Sequence, residues 1–144
     1  MVWAPMHELV FDTSVVVAGL RSKRGASYQL LRLIDANLFR LHISVALALE
    51  YEDVLKRENL IPGTSEQQID AFLDYLFTVA HLTSYVLRQR PSLRDPDDER
   101  ILEVAIQCGA TIVTHNRKDF EGAKRFGVLV KTPAEILEVL RRPV

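Results

Sequence analysis

Four acidic residues, Asp12, Glu50, Asp98 and Asp119, fall at matching places in the chain, each soon after a short apolar run that reads as a β-strand. An open parallel sheet binds ligands outside the carboxyl ends of its strands, so acids recurring there describe a metal site. Carboxylate oxygens are hard ligands. With a single cysteine and no His-x-x-x-His pair, the donor set suits Mg²⁺ or Mn²⁺, one or two ions, rather than zinc. Clustered carboxylates repel one another until cations relieve them. An ion held in this way can activate water and neutralise charge developing on a phosphodiester.

Each acid also has a structural reading. Asp12 ends a strand and can instead cap the turn that follows, helped by Thr13 and Ser14. Glu50 borders the apolar stripe of its helix near Ala46, Leu47 and Val54, where a carboxylate is costly unless a cation meets it; snorkelling or pairing with Arg57 is the alternative. Asp98 falls in the middle of the stripe of Ile101, Leu102, Ala105 and Ile106, which favours it as a ligand over Asp95, Asp97 and Glu99, whose positions suit caps and helix-dipole partners. Asp95 is at most a supporting group. Asp119, in the segment Thr114-His115-Asn116-Arg117-Lys118-Asp119, can cap a short helix.

The elements that must position these residues alternate. Glu8-Leu9-Val10-Phe11 reads as a buried first strand, and Val15 to Leu20 as a helix or helical turn. Leu30, Leu31, Leu33, Ile34 and Leu38 recur at helical spacing between Ala26 and Leu38. Phe39 to Ile43 reads as a second strand, and Ser44 to about Glu58 as a helix. After the Pro62-Gly63 breaker, Thr64 with Gln67 reads as a capping box opening a helix through Val79. Leu82 to Leu87 gives a weakly patterned third strand. Asp95 as N-cap and Pro96 at the first helical position open the helix that stops at Gly109. Thr111 to Thr114 and Val128 to Val130 read as the last strands, and Thr132-Pro133-Ala134-Glu135 opens a final helix to about Arg142. This alternation implies an α/β fold: a three-layer α/β/α sandwich around a parallel sheet of about five strands. The strand order does not follow from it.

A chain of 144 residues fits one domain, residues 1–144, with a core that needs no disulfide. Its net charge of −1 and pI near 6.4 exclude a protein that coats nucleic acid through phosphate neutralisation, while leaving room for local basic patches. Two such clusters are Arg21, Lys23 and Arg24 after the first helix, and Arg117 with Lys118. They are candidate contacts for substrate phosphates, though a solvated surface patch explains such clusters more often. The lone Cys108 suits a reducing cytoplasm and a core position. No stretch is long and apolar enough for a secretion signal or a membrane span. His7, His42, His81 and His115 are scattered without ligand spacing; only His115 lies near the proposed site, and it reads as an incidental loop residue.

Over nearly its whole length the chain resembles the PIN-domain family, of the kind found as VapC-like toxin ribonucleases in toxin-antitoxin pairs. Leu9-Val10-Phe11-Asp12-Thr13-Ser14-Val15 is similar to the family's opening strand and first acid, and Leu49-Glu50-Tyr51-Glu52-Asp53-Val54-Leu55 to its helical glutamate. Asp95-Pro96-Asp97-Asp98-Glu99-Arg100-Ile101-Leu102 resembles the third motif, with Asp98 in the metal role. Val113-Thr114-His115-Asn116-Arg117-Lys118-Asp119-Phe120 resembles the fourth, with Thr114 as a supporting polar group. There the chain departs from many relatives, which carry an aspartate where Asn116 stands; Asn116 and Asp119 share that role. The resemblance implies the sheet order 3-2-1-4-5, Mg²⁺- or Mn²⁺-dependent cleavage of RNA, frequent homodimers and neutralisation by an antitoxin.

The leading expectation is therefore a metal-dependent endoribonuclease, the toxin of a toxin-antitoxin pair. A receiver-like regulatory domain shares the α/β plan, and Lys131-Thr132-Pro133 suits it, but its phosphoacceptor aspartate should end the third strand, where Leu82 to Leu87 has none. The remaining alternative is a catalytically silent PIN domain that serves as a protein-binding module.

Overall fold

Leu9, Val10 and Phe11 are consecutive and all buried, the pattern of a strand covered on both faces, as in a parallel sheet. They form β1 (His7–Phe11) in a computed structural model that describes residues 6–83 and 96–142. The elements that follow are α1 (Thr13–Arg21), α2 (Ala26–Arg32), β2 (Phe39–Ser44), α3 (Val45–Leu55), α4 (Glu66–Val79) and β3 (His81–Thr83). After them come α5 (Pro96–Cys108), β4 (Thr111–Val113), a 3₁₀ segment (Arg117–Phe126), β5 (Val130–Lys131) and α6 (Pro133–Arg141). All strand pairs are parallel, in the order β3-β2-β1-β4-β5, which is the order the resemblance implies. Helices flank the sheet in a three-layer α/β/α arrangement. Residues of every layer, among them Leu30, Ile43, Leu47, Leu76, Leu102 and Ile112, share one core.

This order fixes where a site can form. The chain leaves β1 toward β2 on one side and, after β3, returns to β4 on the other, so β1 and β4 flank the topological switch point. Their register pairs Phe11 with Val113, which sets Asp12 beside Thr114. Helix α5 packs against β1, β2 and β4 and also against α3, while α2 packs on α1 and α6.

Several boundaries differ from the sequence reading, each for a local reason. Helix α2 stops at Arg32 rather than Leu38; the chain then turns through Asn37, at φ 61°, and the apolar spacing persists because the turn still buries Ile34. The capping box opening α4 is Ser65 with Gln68, not Thr64 with Gln67, because the Thr64 N–H is still bonded to the Ile61 carbonyl in the preceding turn. Strand β5 lies slightly later than expected: Leu129 lends only its carbonyl to Ile112 and leaves its side chain exposed. Thr132 and Glu135 form the expected box at α6. Gly109, at φ 62°, ends α5 as expected in a conformation that costs glycine little. The Asp95 cap and the expected strand residues 84–87 lie outside the described residues.

Candidate active site

Asp12 follows the last residue of β1, where its backbone N–H donates to the Val113 carbonyl at 2.9 Å and its carbonyl accepts from Val15 N–H at 2.9 Å. The side chain is buried, 8% exposed. Although Asp12 occupies the N-cap position of α1, its carboxylate bonds no backbone N–H of that helix, which removes the capping explanation. Instead Oδ2 accepts from Ser14 Oγ and from Thr114 Oγ1, each at 2.7 Å. The fully buried Thr114 hydroxyl in turn accepts from Asn116 N–H at 2.9 Å. Two hydroxyl donors on one oxygen orient the carboxylate through charge-assisted bonds and leave Oδ1 without a hydrogen bond among the described residues.

Tyr51 ties the second acidic segment to this point. It belongs to the buried stripe Leu47, Ala48, Tyr51 and Leu55 of α3, and its hydroxyl donates to the carbonyl of Phe11, the residue before Asp12. Burial, and then the negative charge of Asp12, push the Tyr51 hydroxyl well above its ordinary 10.0. A tyrosine in a buried stripe must find an acceptor for its hydroxyl; that signal was available in the sequence, but the identity of the acceptor was not.

Glu50, next to Tyr51, is mostly buried, with a side chain 12% exposed, and its Oε2 lies 3.1 Å from Nη1 of Arg100. Arg57, the partner considered from sequence, pairs with Asp53 instead. Arg100 is a functional candidate the sequence reading missed: it lies near the start of α5, two residues after Asp98, and the packing of α5 on α3 brings it to Glu50. Asp98 is half-buried near the start of the same helix. Asp119 is exposed in the first turn of the 3₁₀ segment, its N–H donating to the Asn116 carbonyl at 3.0 Å; Asn116 is also exposed. Asp95 lies outside the described residues.

Among the described residues, no three His, Cys, Asp or Glu side chains are gathered closely enough to hold one ion. The oriented Asp12 carboxylate fits a hard divalent ion. Glu50 already has a cation beside it, and would serve an ion by exchanging the Arg100 guanidinium for it. Of the basic candidates, Arg21, Lys23 and Arg24 are exposed at the end of α1 and in the loop after it. Lys118 is exposed, whereas Arg117 is ion-paired with Glu135 in the first turn of α6.

The family model for the PIN domain matches residues 8–118. The chain belongs to the PIN-domain family. The matched span holds Asp12, Glu50, Asp98, Thr114 and Asn116 and ends one residue before Asp119. Curated protein sequences give no match. Among solved structures, this PIN domain is similar to VapBC2 from Rickettsia felis, solved bound to a DNA fragment from its promoter. The two are 17% identical, with 87% of this chain and 98% of that chain covered and a TM-score of 0.58. It is also similar to VapBC-1 from nontypeable Haemophilus influenzae, at 18% identity, 88% and 98% coverage and a TM-score of 0.59. A third is a PilT N-terminus domain protein from Sulfolobus solfataricus, at 16% identity, 95% and 96% coverage and a TM-score of 0.59. At such identities the likeness is one of fold. Among the described residues, no helix is long and apolar enough to cross a membrane.

Proposed function

We propose that this PIN domain is a metal-dependent endoribonuclease, the toxin of a toxin-antitoxin pair. The observation that carries the reading is the buried Asp12 carboxylate, held by Ser14 and Thr114 at the switch point between β1 and β4. A carboxylate with no capping duty, oriented by two hydroxyls at the edge where α/β folds bind ligands, suits a ligand to a hard ion. Asp12, Glu50 and Asp98 would hold Mg²⁺ or Mn²⁺ in this reading, one or two ions, by closing in from the wider spacing they have here, with Asp119 completing the set, Asn116 sharing its role and Asp95 in support. When bound there, such an ion would supply an activated water and charge neutralisation at a phosphodiester.

The chain's own residues supply the rest. Thr114 and Ser14 fix the Asp12 carboxylate, Tyr51 keeps Glu50 in place relative to it, and Arg100 neutralises Glu50 until an ion takes its place. Arg21, Lys23, Arg24 and Lys118, with Arg117 beside its Glu135 partner, are the candidate contacts for the RNA backbone, giving modest, salt-sensitive affinity. The VapBC neighbours are toxin-antitoxin complexes, which supports an antitoxin partner. A homodimer, a cytoplasmic location and a single domain over residues 1–144 complete the proposal.

Cleavage of labelled single-stranded RNA by the purified full chain is the test. Mg²⁺ or Mn²⁺ should support cleavage and EDTA should stop it. Asp12→Asn should slow it more than the ~10–100-fold typical of changes to groups that only orient a ligand, with little loss of melting temperature. If no metal-dependent cleavage occurs, or if Asp12→Asn cleaves as wild type does, the enzyme reading is overturned in favour of a protein-binding PIN domain.

A further inference from the structure

His115 is joined to the Asp12 network twice. It follows Thr114, and its backbone N–H lies 3.4 Å from Oγ of Ser14, the hydroxyl that donates to Asp12. Its ring is held from a distant part of the chain: Nε2 is 2.7 Å from Oγ of Ser27, in the first turn of α2. Ser27 is 2% exposed, whereas His115 is exposed. The close crossing of α1 and α2 sets the serine there, because Gly19 lies 3.3 Å, measured from where a Cβ would stand, from the Ser27 carbonyl oxygen.

The arrangement has a direction. Ser27 is too buried to act on a ligand, so the pair is no nucleophilic dyad. The serine instead orients the imidazole, and its hydroxyl can donate to or accept from Nε2, which holds the ring in either tautomer. An exposed side chain normally keeps its rotamer freedom, and fixing one costs conformational entropy. Here the ring is fixed by one nitrogen, while Nδ1 has no hydrogen bond among the described residues.

We propose that His115, with its ring oriented by Ser27, binds the backbone of single-stranded RNA next to Asp12, hydrogen-bonding a phosphate oxygen or a ribose 2′-hydroxyl. This rests on the nuclease reading and adds a substrate-binding residue to it. Ser27 is a positioning residue that acts through His115.

Two roles must be told apart: contact with RNA, and a tie between α2 and the end of β4. The decisive variant is His115→Gln, whose amide reaches the place of Nε2 and can keep the bond to Ser27 while offering nothing in the place of Nδ1. The probe is a fluorescein-labelled single-stranded RNA, with a DNA of the same sequence, titrated in EDTA with the full chain so that binding is read without cleavage. One lost hydrogen bond predicts about a 3- to 10-fold higher Kd for His115→Gln and His115→Ala, with His115→Gln melting as wild type does. Ser27→Ala should weaken binding by a smaller factor.

An effect equal on RNA and DNA assigns the contact to phosphate, and one confined to RNA assigns it to the 2′-hydroxyl. Wild-type affinity in His115→Gln, alongside wild-type protein that binds and cleaves RNA, overturns this inference alone and leaves the tie as the residue's only role. Wild-type protein that neither binds nor cleaves RNA overturns the nuclease reading and this inference with it.

Discussion

Replacing Thr114 by valine tests the element on which the site depends. The two side chains are nearly isosteric, Thr114 is fully buried, and its hydroxyl donates to Asp12 Oδ2 at 2.7 Å while accepting from Asn116 N–H at 2.9 Å. A hydrogen bond to a charged group contributes about 1.5–3 kcal/mol. The Asn116 N–H lies in an exposed segment, where water can replace the lost acceptor at little cost. The expected loss is thus about 2 kcal/mol, carried by Asp12, which for a chain of this size lowers Tm by about 4–8 °C. Thermal or urea unfolding of wild type, Thr114→Val, Asp12→Ala and the double variant measures this pair directly. In the Asp12→Ala background the Thr114→Val loss should shrink to a few tenths of a kcal/mol, because its partner is gone. Additive losses, or an unchanged Tm in Thr114→Val, would refute the claim that Thr114 holds the carboxylate.

Two further perturbations probe how the site is positioned. The Tyr51 hydroxyl titrates above its ordinary 10.0 in the fold, so the unfolded chain loses this proton first as pH rises. The resulting stability is fully present below pH 10 and is lost as pH climbs toward the folded value. Tyr51→Phe should therefore cost about 1–2 kcal/mol at neutral pH through the lost bond to the Phe11 carbonyl. The same variant should flatten the decline of Tm between pH 9 and 11 relative to wild type; an equally steep decline in both proteins counts against the role given to Tyr51. At Gly19 a Cβ would collide with the buried Leu31 side chain. Gly19→Val should consequently cost at least about 2 kcal/mol in chemical denaturation, and a variant as stable as wild type would show that α1 and α2 need not cross so closely.

The sheet was largely legible because buried parallel strands appear as short apolar runs, and Leu9 to Phe11 are buried as such a run should be, as are Leu41 and Ile43 on either side of the buried His42. Helix starts were legible where a cap has its own chemistry, as at Thr132-Pro133-Ala134-Glu135. Boundaries failed where a turn and a helix bury apolar residues alike, which is why α2 ends well before Leu38. At the candidate site the sequence marked Asp12, Glu50, Asp98 and Asp119, since acids after a strand or along the apolar stripe of a helix stand out against their neighbours, while Thr114 entered only through the family resemblance. It missed Arg100 and the roles of Tyr51 and Ser27, whose partners are far away in the chain.

What the sequence by itself determined is the order of elements and the kinds of side chain delivered to the sheet edge, because strand runs, caps and breakers act over a few residues. Only the tertiary structure decided what those side chains do. Parallel pairing of β1 with β4 turned Asp12 from a possible cap into a carboxylate held by Thr114, and the packing of α3 on α5 gave Glu50 to Arg100 rather than to Arg57. The crossing of α1 and α2 put Ser27 against His115. Each of these is a contact between residues far apart in the chain, and hydrogen bonds and ion pairs depend on distances that no local pattern encodes.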